Sequence, residues 1–120
     1  MNALVVDNSR LMRKVLIGVL SRIGVTDVEQ AGDGNKAVDA CANQDFALVL
    51  MDWNLPNMSG FDALKAIRGA GKTMPIIMVT TESEKSRVVE ALKAGANDYI
   101  IKPFKPHIIM AKIQDTLEKA

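Results

Sequence analysis

The sequence is poor in the residues that build covalent or metal frameworks. It has one cysteine, Cys41, and one histidine, His107, which excludes an internal disulfide and a cysteine-based zinc site. It also lacks an excess of charge. Lys and Arg total 15 against 14 Asp and Glu, a net charge of +1, so there is no electrostatic footprint for nucleic acid or an anionic membrane. No apolar run approaches the roughly 20 residues of a membrane helix. The start, Met1 to Asp7, has neither the basic n-region nor the cleavage site of a signal peptide. Repeats, low-complexity tracts and linker-like stretches are missing too. What is left is a globular chain with the cytoplasm as its default address. Its 120 residues suffice for one core and are too few for two, so residues 1–120 read as a single domain.

What is present is an alternation. Short apolar runs at Ala3–Val6, Val28–Ala31, Phe46–Met51, Pro75–Val79 and Tyr99–Ile101 are mostly apolar throughout, as in parallel strands covered on both faces. Segments of helical period lie between them. Met12, Val15, Leu16, Val19, Leu20 and Ile23 form one stripe on a helix near Ser9–Ile23, with Ser9 as N-cap and Gly24 as stop. Further helices fit Asn35–Ala42, preceded by Asp33-Gly34, and Gly60–Arg68. A fourth opens on Thr81-Glu82-Ser83-Glu84, which matches a capping box, and carries Val88, Val89 and Leu92 toward Gly95. The last starts at Pro106, a favoured first-turn residue, and runs through Ile109, Ile113 and Leu117. Five β–α pairs in strict alternation predict a doubly wound α/β domain with right-handed crossovers.

In open α/β sheets, ligands bind outside the carboxyl ends of the strands. The first run is followed by Asp7 and Asn8, the third by Asp52, Trp53 and Asn54. The fourth is followed by Thr80, Thr81 and Glu82, the fifth by Lys102 and Pro103. The second, ending at Ala31-Gly32, offers little. Two carboxylates crowded at one edge repel by about 4 kcal/mol at ~4 Å and an effective dielectric of ~20. Lys102 offsets part of that, and a hard divalent ion such as Mg2+ would offset more, since Mg2+ takes one or two carboxylates plus water and phosphate oxygens. A carboxylate flanked by Mg2+, an ammonium and a hydroxyl can attack phosphorus and form an aspartyl phosphate.

The segments Val5-Val6-Asp7, Met51 to Gly60 (MDWNLPNMSG), Val79-Thr80-Thr81-Glu82 and Tyr99 to Phe104 (YIIKPF) closely resemble the receiver domain of response regulators. The resemblance covers the whole chain, with the four motifs in order at the strand ends. It implies a flavodoxin-like (βα)5 fold with sheet order 2-1-3-4-5, helices on both faces and no output domain. By resemblance, Asp52 is the phosphoacceptor, supplied by a phosphohistidine on a sensor histidine kinase. Asp7, Asp52 and the backbone carbonyl of Asn54 are the implied Mg2+ ligands. Lys102 is the lysine that contacts the phosphoryl group, and Pro103 follows it in an often cis bond. Thr80 is the switch hydroxyl, and Tyr99 the aromatic that turns inward when that hydroxyl moves. Asn54 and Glu82 sit where the family tunes dephosphorylation. The implied output surface is the fourth helix, fifth strand and fifth helix, with Lys85, Val88, Leu92, Tyr99 and Lys112 on it. Its implied partners are a downstream protein such as a flagellar motor switch component, in chemotaxis, and a phosphatase. The chain is expected to be a monomer that neither binds nucleic acid nor enters a membrane. Its chemistry is confined to its own phosphorylation and dephosphorylation.

One departure from the family pattern stands out. A second acid usually follows the first strand, commonly as a direct metal ligand, and here that position is Asn8. This lowers the expected metal affinity by roughly tenfold or more, at about 1.4 kcal/mol per factor of ten. It opens a rival reading, a pseudo-receiver that docks without switching. Thr81 stands where a smaller residue is frequent, and its methyl narrows access to Asp52. An aspartyl phosphatase would need an acid where Asn54 stands. A flavin site would need a glycine- and hydroxyl-rich loop where Asn8-Ser9-Arg10-Leu11 stands. Met51, Met58, Met74, Met78 and Met110 read as core filler rather than a cofactor box. His107 reads as a surface residue, Cys41 as a small buried apolar group, and Trp53 as a half-buried loop aromatic.

Overall fold

A computed structural model describes all 120 residues. The elements follow in strict alternation. The strands are β1 (Asn2–Val6), β2 (Asp27–Ala31), β3 (Leu48–Met51), β4 (Ile76–Thr80) and β5 (Asp98–Ile101). The helices are α1 (Arg10–Arg22), α2 (Gly34–Asn43), α3 (Gly60–Gly69), α4 (Lys85–Lys93) and α5 (Pro106–Lys119). The strands pair in parallel in the order β2-β1-β3-β4-β5.

The apolar runs are strands because both sheet faces are covered. Along β1, Ala3 and Val5 point into one core with Leu16 and Leu20 of α1 and Ile109 and Ile113 of α5. Leu4 and Val6 point into the other, with Ala37 and Cys41 of α2, Leu64 and Ile67 of α3 and Ala91 of α4. The same alternation runs through β3 and β4, whose residues are all buried. Burying one such aliphatic side chain contributes about 1.5–3 kcal/mol. The edge strand β2 differs: Asp27, Glu29 and Gln30 are exposed, and only Ala31 is buried. No helix is long and apolar enough to cross a membrane.

Helix starts show where local signals prevail. The side chain of Ser9 accepts from Met12 N–H, that of Asp33 from Lys36 N–H and that of Ser59 from Asp62 N–H, each cap worth about 1 kcal/mol. At α4 the expectation from Thr81-Glu82-Ser83-Glu84 fails. The helix begins at Lys85 with Glu84 at the N-cap and no side-chain cap bond. The polar groups of that segment are bound elsewhere, since Glu82 N–H donates to Thr80 Oγ1 and Glu82 C=O accepts from Tyr99 Oη. Two apolar placements also need correction. Val15 is 41% exposed and lies off the buried stripe of α1, and on α4 Val89 and Leu92 face outward while Ala91 fills the core. Cys41 is buried, Met51 and Met78 are core residues, and His107 is exposed. Trp53 is more buried than expected, at 7% exposure.

Candidate functional site

Three strands deliver their next residues to one spot. Asp7 and Asp52 stand one residue past β1 and β3, where Asp7 N–H donates to Ala31 C=O and Asp52 N–H to Val6 C=O. Lys102 stands one residue past β5, its N–H donating to Thr80 C=O and its bond to Pro103 cis. The lysine ammonium donates to Asp7 Oδ2 at 2.7 Å and to Asp52 Oδ2 at 3.0 Å. All three side chains are largely withdrawn from water. The other carboxylate oxygens accept backbone N–H groups from the loops that follow, Asp7 Oδ1 from Ser9 at 2.8 Å and Asp52 Oδ1 from Asn54 at 3.2 Å. Burial acts to lower the Lys102 pKa, and the hydrogen bonds and charges of Asp7 and Asp52 outweigh it, so the ammonium is held above its ordinary value.

Thr80, the last residue of β4, is fully buried, with its hydroxyl turned to Glu82 N–H at 3.2 Å. That hydroxyl is bonded to neither the Asp52 carboxylate nor the Lys102 ammonium. Tyr99 is turned inward, 6% exposed, and its hydroxyl donates to Glu82 C=O at 2.7 Å. It is therefore inside the α4–β5 seam rather than on the outer surface. Burial pushes its phenol up to about 12, with the charges of Glu82 and Asp52 adding to the effect and Arg87 opposing it. Asn8 and Asn54 are exposed. On the implied output face Lys85 and Leu92 are exposed and Val88 is half-buried, while Lys112 lies 3.4 Å from Asp98.

As a metal site the donor set is small but of the right kind. Two carboxylates and nearby carbonyls are hard oxygen donors, as Mg2+ requires. Nowhere do three or more His, Cys, Asp or Glu side chains converge, and the residue after Asp7 is the uncharged Asn8. The residues fit Mg2+ with its shell completed by water and phosphate oxygens.

Several neighbours carried no signal in the sequence. Arg13 Nη1 donates to Asp7 C=O at 2.7 Å while its Nε donates to Gln30 Oε1 at 2.9 Å, tying the β1–α1 loop to β2. Trp53 stacks on Phe61, with centroids 4.7 Å apart, and Arg87 of α4 lies 5.4 Å from its ring. Arg68 binds Gly95 C=O and Asn97 Oδ1, which ties α3 to the start of β5. All three depend on contacts distant in sequence, which periodicity does not report.

Residues 3–114 match the family model described as "Response regulator receiver domain". The chain belongs to this family. Receivers are the receiving modules of two-component signalling, and those of the CheY type generally bind Mg2+. This receiver is 45% identical over 120 residues to a "Chemotaxis protein CheY homolog" of Campylobacter jejuni, covering 98% of this chain and 92% of that one. It is 44% identical over 120 residues to "Chemotaxis protein CheY1" of Helicobacter pylori, covering 98% and 97%. A CheY-like receiver domain crystallised from Methanospirillum hungatei superposes with a TM-score of 0.91 at 30% identity, over 98% of this chain and 94% of that one. The expected family, fold and strand order are all borne out.

Proposed function

We propose that this receiver accepts a phosphoryl group on Asp52 from a histidine kinase and uses it to change docking to a downstream protein in chemotaxis. The observation that carries the reading is the single ammonium of Lys102 bonded to both Asp7 and Asp52 at the carboxyl edge of the sheet. In the transfer, an Asp52 carboxylate oxygen forms a bond to phosphorus as the P–N bond of the donor phosphohistidine breaks, and the leaving imidazole takes a proton. Lys102 is placed to meet the negative charge on the transferring oxygens. Asp7, Asp52 and the carbonyl of Asn54 would hold Mg2+, which when bound supplies further charge neutralisation there. The new group adds roughly −1.5 to −2 charge beside Thr80, whose hydroxyl can exchange Glu82 N–H for a phosphoryl oxygen. Tyr99 shares Glu82 as a partner, so that exchange reaches α4, β5 and α5. Lys85, Val88, Leu92 and Lys112 are the residues such a partner would meet. Asn54 and Glu82 stand where the family tunes the dephosphorylation that ends the signal. The chemistry is the chain's own modification and its loss, not turnover of a substrate.

A second reading is a pseudo-receiver that docks without phosphorylation. It is favoured by Asn8 and by the limit of two carboxylates at the site. One experiment separates the two. Trp53, the only tryptophan, follows Asp52 directly, so its fluorescence is recorded while Mg2+ and then beryllofluoride, a phosphoryl mimic, are added. A saturable change at both steps, with the beryllofluoride step lost in Asp52→Asn, is expected. No change at either step, restored by Asn8→Asp, would establish the pseudo-receiver instead.

A further inference from the structure

The second strand end contributes no residue to the acidic cluster, yet it buries a carboxylate. Asp33 lies two residues past β2 and is 8% exposed. Its two oxygens have different partners. Oδ1 accepts Lys36 N–H at 2.7 Å and caps α2, a role that any N-cap aspartate performs. Oδ2 accepts from Asn57 Nδ2 at 3.0 Å, across 24 residues of chain. These two bonds, the cap first, hold the Asp33 carboxyl below its ordinary pKa.

Asn57 stands in the loop that leaves Asp52 for α3, at φ +67°, a left-handed conformation that Asn and Asp tolerate. The loop is fixed at its two ends by Asp52 N–H to Val6 C=O and by Gly60 N–H to Trp53 C=O at 2.8 Å. Between them, the Asp33 carboxylate and the close packing of Met58 C=O over Gly34, where a Cβ would collide, hold it against the β2–α2 turn. The same loop touches the reacting group, since Asn54 N–H donates to Asp52 Oδ1 at 3.2 Å.

We propose that Asp33 and Asn57 are positioning residues for Asp52: their hydrogen bond braces the loop against the β2–α2 turn and thereby sets the rate at which the Asp52 carboxylate takes up a phosphoryl group. The inference rests on the reading of Asp52 as phosphoacceptor. Reaction requires the attacking oxygen within about 3–3.5 Å of phosphorus, and a misplacement of about 1 Å can lower a rate by up to ~100-fold. A loop held at two ends and loosened between them moves by a fraction of that, so the expected effect is about fivefold to tenfold.

The test uses acetyl phosphate with Mg2+. An Asp52 oxygen bonds to phosphorus as the donor's P–O bond breaks and acetate leaves, and the product is followed by intact mass. Four chains are compared: native, Asp52→Asn, Asn57→Asp and the reciprocal Asp33→Asn/Asn57→Asp. The single Asn57→Asp change sets two carboxylates against each other without backbone strain. The double variant restores one donor and one acceptor, and the amide at position 33 keeps the α2 cap because Asn and Asp cap equally well. The expected result is a phosphorylation rate about fivefold to tenfold lower in Asn57→Asp and within about twofold of native in the double variant, with all chains folded by urea titration. A native rate in Asn57→Asp, or a double variant as slow as the single, overturns the brace while leaving Asp52 as the acceptor. A native chain that takes no phosphoryl group, or an Asp52→Asn chain that does, overturns the acceptor reading and the brace with it.

Discussion

Replacing Lys102 by Met keeps most of the buried stem and removes only the charge. In the native chain the ammonium sits 2.7 Å from Asp7 Oδ2 and 3.0 Å from Asp52 Oδ2, so those two oxygens lie within about 6 Å of each other. At that separation and an effective dielectric of ~20, two unit charges repel by about 3 kcal/mol. Removing one partner of a buried ion pair costs a similar amount, about 3–5 kcal/mol. We therefore expect Lys102→Met to lose about 3 kcal/mol at neutral pH. That is a large share of the ~5–15 kcal/mol that holds a domain together, but not all of it. With a urea slope near 1.5 kcal/mol/M, the midpoint read from Trp53 fluorescence falls by about 2 M. If repulsion is the cause, Lys102→Met/Asp7→Asn recovers most of the loss, because one carboxylate is gone while the amide oxygen now at position 7 still accepts Ser9 N–H. A Lys102→Met midpoint equal to native would refute the argument. So would a double variant no more stable than Lys102→Met, since the loss would then come from packing of the stem. The raised lysine pKa sets the alkaline behaviour. Its stabilisation is complete below the ordinary lysine value of about 10.5 and is lost as pH rises through the higher folded value, so this limb is absent from Lys102→Met.

Tyr99 is the only tyrosine, so tyrosinate absorbance reports it alone; we expect a midpoint of about 12 in the folded chain and about 10 in denaturant. Its proton is held more tightly in the folded state, so its contribution to stability is complete below about pH 10 and fades toward about 12; a folded-state midpoint at the ordinary value would show that the phenol is solvated. Asn8→Asp adds a carboxylate beside the cluster and is expected to tighten Mg2+ binding by tenfold or more, at about 1.4 kcal/mol per factor of ten. Equal affinities in a Trp53 fluorescence titration would remove Asn8 as the cause of a weak site.

How far such a molecule can be read from its sequence depends on the range of each contact. Asp7, Asp52 and Lys102 were legible because each follows an apolar run, and a parallel sheet sends every strand end to the same edge. The strand order was not legible from periodicity and came from resemblance to the receiver family. Asp33 was legible only as a residue before a helix. Its bond to Asn57 is set by how two crossover loops meet, and an edge strand reading Asp-Val-Glu-Gln-Ala gives no hint of it.

The segment before α4 shows the limit most plainly. Thr81 and Glu84 have the spacing of a capping box, which joins two residues three apart through the backbone N–H of each and needs the residues between them to be helical. Here the backbone of Glu82 is already engaged, its N–H by Thr80 and its C=O by Tyr99. Each of those partners is anchored in a strand, and Tyr99 is held by burial as well. A strand-anchored partner loses little freedom when it bonds, whereas a cap must order an exposed turn, at about 1–2 kcal/mol of backbone entropy per residue. A local bond from Thr80 and a tertiary one from Tyr99 hold Glu82 outside the helix, and α4 starts late and uncapped. The same two bonds join Thr80, Glu82 and Tyr99 into one unit, so a sequence signal fails at the place where the sheet reaches out to hold the helix.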